Sequence, residues 1–439
     1  MKLREELEKR WLIYQFSNEK LFDVYNKWWE KFYIWFDPSA DSLQLGNMCA
    51  IMAAVNLMKY WNKCYFLVWW ATWMIWDPSL KEAERLFLDE KQLRHNEQCI
   101  YDQLKSFLEN LKKNFWINFD YEMVDNYDFY KWMNYLDFLR DVGKYITVNT
   151  MIAKESVKKR IDDPDKSITY AEFSYMLIQG YDFTYLFQKH WLQLQLGWSD
   201  QWGNVTTGIE IIRKKFDKEV YALTIPLILD STGKKFGKSE WNAIFLDHAK
   251  TSPYFVYQYF MNAADEDVER YLKVLTLLDF ETIDKIVQEH KKNPQLRSGQ
   301  KELAKQVIKV IFDEDSATQA EKISEILFGE WDKIKIISWF KKVDIDALYK
   351  ETGGTEIKLG MMNDPEVSRA GELWIKELCV QAWLASSNGE VKKLIQSDSI
   401  FCNENKITDI QQTIKKSDFI NWVLLIRKWK KIFKIVKLV

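Results

Sequence analysis

The sequence predicts an α/β fold: a parallel sheet covered by helices, then an all-helical segment, then a small α+β piece. Three observations carry this. From residue 1 to about 225, short β-rich runs alternate with amphipathic stretches, the pattern of parallel strands with helices between them. Between Thr251 and Gly329 apolar residues recur at helical spacing and little resembles a strand. After Leu373 a helical pattern gives way to the short β-like runs Phe401-Cys402 and Val423-Leu424-Leu425-Ile426-Arg427.

In chain order, Phe32 to Phe36 and Tyr65 to Val68 are strand candidates, dense in aromatic and branched residues. Asp37-Pro38-Ser39-Ala40-Asp41-Ser42 is a turn of the kind that caps a helix, and Met48, Ile51, Met52, Val55, Leu57 and Met58 follow at helical spacing. Gln44 to Asn47 therefore falls at a strand-to-helix junction, where open α/β sheets bind ligands. Val268, Tyr271, Leu272 and Leu275, then Ile283, Ile286 and Val287, mark helices. Asp332 to Ala370, with Gly353-Gly354 and Met362-Asn363-Asp364-Pro365, has the composition of a linker. Leu373 to Gln396 is expected as helix. The expected domains are 1–225, 226–330 and 371–439, with 331–370 between the last two.

A chain of 439 residues suffices for two or three cores, and its net charge of −2 gives no global basic field. The sign is uneven. From Leu384 to Val439 eleven Lys/Arg face five Asp/Glu, which suggests either a polyanion-binding module or a solvated lysine-rich face. Five cysteines without a C-x-x-C pair read as free thiols in a reducing cytoplasm. His95, His190, His248 and His290 share no ligand spacing, so no protein-bound metal is expected. The charged N-terminus lacks an apolar signal core, and the apolar run Cys64 to Trp76 is too short to span a bilayer, so no membrane association is expected.

Three distant stretches carry chemistry: Phe36-Asp37-Pro38-Ser39-Ala40-Asp41-Ser42-Leu43-Gln44-Leu45-Gly46-Asn47, Gly197-Trp198-Ser199-Asp200-Gln201-Trp202-Gly203-Asn204, and Lys235-Phe236-Gly237-Lys238-Ser239. Read alone, each has an ordinary explanation as a helix start, a loop or a surface turn. Together they resemble bacterial tyrosyl-tRNA synthetase, over nearly the whole chain. The resemblance implies a Rossmann-like catalytic domain, a helical anticodon-binding domain and a small ribosomal-protein-type RNA-binding domain at the C-terminus.

It also implies site residues. Lys235 and Lys238 would flank the departing pyrophosphate. Gln44 and Asn47 stand where the first class I signature usually has two histidines; Asn47 is a family variant, while Gln44 departs from the pattern and carries no charge for a phosphate. Ser39 keeps the hydroxyl of the usual threonine. Asp37, Gly46 and Asp200, with the two lysines, would hold ATP. Tyr175, Gln179 and Asp182 fall at spacings of four and three, on one helix face. By resemblance Asp182 and Tyr33 take the tyrosine phenol, Tyr175, Gln179 and Asp77 its ammonium, and Gln201, beside Asp200 in the ribose and substrate contact loop, also meets the tyrosine; Thr72 also matches a family segment, and Lys81 and Arg85 would meet phosphates. Lys392, Lys393, Arg427 and Lys428 are the candidate tRNA contacts.

One feature departs from the family throughout. Trp35, Trp69, Trp70, Trp73, Trp76, Trp198 and Trp241 stand where the family has glycine, and Trp11, Trp191, Trp383, Trp422 and Trp429 fit the same description, whereas Trp202 belongs to the family pattern. Independent drift scatters substitutions over many residue types; these converge on one. Two explanations stand: a UGA codon that means glycine in the source and is rendered here as tryptophan, or a degenerate paralogue.

The resemblance thus implies a cytoplasmic tyrosine–tRNA ligase, a homodimer, acting on tyrosine, ATP with Mg²⁺ and tRNA(Tyr). The alternative is a catalytically inactive synthetase-like RNA-binding protein, which Gln44 and the tryptophans favour.

Overall fold

The computed structural model describes residues 1–27, 29–69, 89–115, 117–163, 167–231, 233, 236–237, 243–328, 345–346, 348–349, 353–358, 372–429 and 432–438. The chain divides into two compact units, residues 1–251 with 260–313, and residues 252–259 with 314–439.

The first unit is built on a six-stranded sheet. Its strands are β1 (Gln15–Phe16), β2 (Lys31–Phe36), β3 (Lys63–Val68), β4 (Tyr121–Asp125), β5 (Leu194–Trp198) and β6 (Tyr221–Ile225). Their spatial order is β1-β6-β5-β2-β3-β4, and all pairs are parallel except β1 with β6. The two strands expected from the sequence fall within β2 and β3, each buried at every residue but its first. Burial on both faces explains why they read as unbroken apolar runs and not as alternating ones. Because β3 lies on one side of β2 and β5 on the other, the strand order reverses at β2 and opens a crevice at the carboxyl ends of β2 and β5.

Helices cover the sheet: α1 (Leu3–Lys9), α2 (Leu45–Met58), α3 (Glu90–Phe115), α4 (Tyr170–His190) and α5 (Trp202–Phe216). From Met48 to Met58 every residue of α2 is buried, consistent with a helix that is apolar all round. Helix α4 starts with a reciprocal cap, in which Thr169 Oγ1 accepts the Glu172 N–H at 3.2 Å and Glu172 Oε2 accepts the Thr169 N–H at 2.8 Å. It packs closely on α5 because glycines meet there: a Cβ on Gly208 would lie 2.9 Å from Phe183 Cδ1, and one on Gly180 3.4 Å from the Gly208 nitrogen. The helical stretch expected downstream contains α6 (Asp265–Leu275), α7 (Phe280–Lys292) and α8 (Ser298–Ile311).

The second unit holds α9 (Glu314–Phe328), β7 (Thr355–Ile357), β8 (Leu373–Trp374), α10 (Ile375–Gln381), α11 (Asn388–Gln396), β9 (Ile400–Cys402), β10 (Asn405–Lys406), β11 (Thr413–Ile414), β12 (Val423–Lys428) and β13 (Ile432–Leu438). Five strands form a sheet in the order β10-β9-β12-β13-β7, and α10 and α11 pack on it through Leu378, Val391 and Ile395 against Leu424 and Ile426. The expected continuous helix Leu373–Gln396 is interrupted. Leu373–Trp374 pairs with β11, and α10 stops where Trp383 turns left-handed. Most of the expected linker 331–370 lies outside the described residues.

Candidate active site

Parallel pairing puts Tyr33 on β2 in register with Tyr65 on β3 and Gln195 on β5, just below the crevice. Helix α4 presents Tyr175, Gln179 and Asp182, all buried, to the same core as Tyr33. The expected stripe thus faces inward, and Phe183 beside it packs on the Tyr33 ring with centroids 5.5 Å apart.

Asp182 is fully enclosed. The Tyr130 hydroxyl lies 2.9 Å from its Oδ1, and Asn126 Nδ2 donates to its Oδ2 at 3.2 Å. Burial pushes its carboxyl up to about 8, against the opposing pull of the Tyr130 and Asn126 donors. Burial and the nearby Asp182 hold the Tyr33 phenol well above its usual range. Tyr33 Oη, near this carboxyl, and the buried amide atoms of Gln179 and of Gln195 have no hydrogen-bond partner among the described residues. Buried polar atoms are nearly always paired, so this cluster has the composition of a recognition set for a polar ligand.

The two distant signatures meet at the start of α2. Gln44 precedes the helix and Asn47 Oδ1 accepts its N–H at 2.9 Å. Gly237, at φ +80°, lies so close that a Cβ there would be 3.1 Å from the Gly46 nitrogen, and one on Gly46 would be 3.8 Å from the Phe236 carbonyl oxygen. The contact is fixed by backbone pairing: Leu45 N–H donates to Ile244 O at 2.8 Å, and Ile244 N–H to Gly237 O at 3.0 Å. Only glycine fits Gly237 without strain, because it combines a left-handed backbone with contact on another backbone. Of the first-turn N–H groups of α2, Leu45 and Asn47 are engaged by Ile244 O and Gln44 O at 2.8 Å each. Lys235, Lys238, Asp77, Thr72, Lys81 and Arg85 lie outside the described residues.

Asp37 and Ser39 are exposed in the turn after β2, and Asp200 is half-buried in the turn after β5. Gln201 is buried, with its Oε1 accepting from Asn204 Nδ2 at 3.0 Å. In the second unit Lys392 and Lys393 are exposed on α11, but Arg427 and Lys428 are half-buried. Arg427 pairs with Glu404 at 3.3 Å and lies over the Phe401 ring, and Lys428 pairs with Glu390 at 3.0 Å. The sequence reading omitted Asn126, Tyr130 and Gln195. Gln195 left a signal, a lone amide in an apolar strand; the other two are recognisable only by the carboxyl they reach.

Three indoles pack into the crevice. Trp35 and Trp69 are 2% and 1% exposed and stack with centroids 4.8 Å apart, and Trp198 meets Trp35 edge-on at 5.7 Å. Trp35 presses on β5 so closely that a Cβ on Gly197 would lie 2.3 Å from its Cη2.

A parallel sheet with its crevice at the strand-order reversal, and a glycine turn laid on the helix start beside it, is the activating fold of class I tRNA synthetases. Residues 30–329 match the family described as tRNA synthetases class I (W and Y). The chain is 41% identical over 409 residues to a tyrosine–tRNA ligase of Bacteroides fragilis, covering 92% of each, and 40% identical to one of Streptococcus suis, covering 99% of this chain and all of that one. Among solved structures it resembles a C-terminally truncated mitochondrial tyrosyl-tRNA synthetase of Coccidioides posadasii, with TM-score 0.65, 29% identity, and 73% of this chain and 91% of that one covered. The chain belongs to the tyrosine–tRNA ligase family of the class I synthetases.

Proposed function

We propose that the chain activates tyrosine with ATP, taken up with Mg²⁺, to tyrosyl-adenylate, and transfers the tyrosyl group to tRNA(Tyr), as a cytoplasmic homodimer. The observation that carries this reading is the buried polar cluster of Tyr33, Gln179 and Asp182 on one face of the crevice. A phenol placed there donates to the Asp182 carboxyl and accepts from the Tyr33 hydroxyl, while Tyr175 and Gln179, with Asp77, hold the ammonium. The carboxylate of the amino acid then attacks the α-phosphate, and pyrophosphate leaves. The protein forms no covalent bond in this step; it aligns reactants and stabilises charge.

The test is tyrosine-dependent ATP–pyrophosphate exchange by the protein as made in its own source. Asp182→Ala leaves the buried phenol without its acceptor, about 1–3 kcal/mol, so tyrosine binding should weaken roughly 5- to 150-fold. Unchanged tyrosine affinity in that variant would take Asp182 out of the site. Lys235→Ala and Lys238→Ala should slow single-turnover adenylation by about 2–4 kcal/mol while leaving ground-state tyrosine binding nearly intact, because they meet charge that develops on the leaving group. Equal single-turnover rates would exclude the loop.

Candidate tRNA contacts rest on the exposed pair Lys392 and Lys393. Reversing both to glutamate should weaken tRNA binding and flatten its salt dependence by roughly one unit of slope per lost phosphate contact, sparing pyrophosphate exchange. An unchanged salt slope would count against this face. A second reading, a synthetase-shaped RNA-binding protein without catalysis, is favoured by the stacked Trp35 and Trp69 in the crevice. It requires absent exchange activity in the source protein.

A further inference from the structure

Left-handed backbone is the province of glycine, and of asparagine and aspartate to a lesser degree; a bulky side chain there is an outlier. Thirteen described non-glycine residues have positive φ, and seven of them are tryptophan: Trp11, Trp29, Trp61, Trp191, Trp383, Trp422 and Trp429, at φ between 56° and 68°. Tryptophan has no local hydrogen bond to offer such a backbone. Burial does not compensate, since all seven are more than half exposed.

The local motifs ask for glycine at these places. After α1 the Trp11 N–H donates to Glu8 O at 3.0 Å and the Leu12 N–H to Leu7 O at 2.9 Å. After α10 the Trp383 N–H donates to Val380 O at 3.0 Å and the Leu384 N–H to Cys379 O at 2.9 Å. Both are the paired-bond helix stop in which glycine is the usual left-handed residue. Trp191 ends α4 in the same conformation, its N–H on Phe187 O at 2.8 Å. Asn421 and Trp422, at φ 51° and 65°, form the two central residues of a hairpin turn closed by mutual Ile420 and Val423 bonds of 2.8 and 3.0 Å. Two positive φ values in a two-residue hairpin select Asn-Gly.

Trp29 and Trp61 do not figure in the sequence comparison with the family, yet their backbones make the same demand. In the crevice the conflict lies in side-chain packing and not in the backbone. Trp35 is jammed against Gly197, Trp69 stacks on it, and polar atoms of Tyr33 and Gln179 are left without partners beside them.

We infer that positions 11, 29, 61, 191, 383, 422 and 429, and with them 35, 69 and 198, are occupied by glycine in the working enzyme, one codon being decoded as glycine in the source. One cause then accounts for both sets: surface positions where the backbone rejects a side chain, and crevice positions where the side chain takes the ligand's room. The surface set stands on backbone geometry alone, whereas the crevice set also rests on the tyrosine-activation reading. Trp202 is the internal control. Its φ of −53° begins a helix, it packs on the core, and it remains tryptophan.

Mass spectrometry of peptides from the protein purified from its source tests this. Glycine masses are expected at the ten positions and tryptophan at 202; indole at the left-handed positions would overturn the inference. A second arm compares the all-tryptophan chain with a chain carrying all ten Trp→Gly changes, by tyrosine titration calorimetry. Tyrosine should bind only the substituted chain, and tight binding to the all-tryptophan chain would overturn the crevice part. Glycine masses with no tyrosine binding in the source protein would instead overturn the tyrosine reading and leave the glycine assignment standing.

Discussion

Raising the pH from about 4 to about 8 should destabilise the all-tryptophan chain through the buried carboxyl of Asp182, whose proton is held up to about 8 by burial. The unfolded carboxyl loses its proton near its ordinary value of 3.8. Between these values the folded state holds a proton that the unfolded state has released, so stability falls as pH rises. Below the lower value both states are protonated and nothing is lost; above the upper one the whole penalty is present. A shift of this size corresponds to up to about 6 kcal/mol. Glu97, raised to about 7 by burial with Asp125 adding, slopes the same way, so the measurement is a difference. Asp182→Asn keeps the shape and cannot ionise, and Asn126 can rotate its amide to suit. The melting temperature of the variant should gain on that of the parent from acid to pH 8; parallel melting curves across that range would show that Asp182 is not held protonated.

Arg10→Ala should cost about 3–5 kcal/mol, the consequence of breaking a buried ion pair. Its side chain is 2% exposed. The guanidinium donates to Glu6 Oε1 at 3.2 Å, to the Lys273 and Thr276 carbonyls at 3.1 Å each and to the Leu278 carbonyl at 2.8 Å. It thereby ties α1 to the end of α6 and the turn beyond. Removing it strands three carbonyls, and leaves Glu6 with Lys59 and the Tyr60 hydroxyl at 2.9 Å. Arg10→Lys should recover little, because one ammonium cannot reproduce the fork. Urea unfolding that shifts by less than about 1 kcal/mol for Arg10→Ala would mean solvent replaces these bonds freely.

The expected strands at Phe32–Phe36 and Tyr65–Val68 and the helix from Gly46 onward were legible because each is a continuous apolar segment with a turn beside it. The Leu373–Gln396 helix was over-read, since apolar spacing persists across a break that only the left-handed Trp383 and the bond from Leu384 N–H to Cys379 O reveal. The polar stripe Tyr175, Gln179, Asp182 could be placed on one helix face from its spacing, but not turned inward. That took the packing of α4 on the sheet. Arg427 and Lys428 are expected from the sequence as tRNA contacts, and Glu404 and Glu390 reach them only because β12 and its neighbours fold together.

The amino-acid sequence by itself determined the family, the order of the elements and the positions whose residue type conflicts with that family, because these depend on residue identity along the chain. Only the tertiary structure decided that Gly46 and Gly237 touch, that Asn126 and Tyr130 hold the Asp182 carboxyl, and that Tyr33 and Gln179 are buried with polar atoms unpartnered among the described residues. It also decided which tryptophans sit on left-handed backbone. The reason is physical: burial, contact across hundreds of residues and the sign of φ at a helix stop are set by what the rest of the chain packs against each position, and no local pattern encodes them.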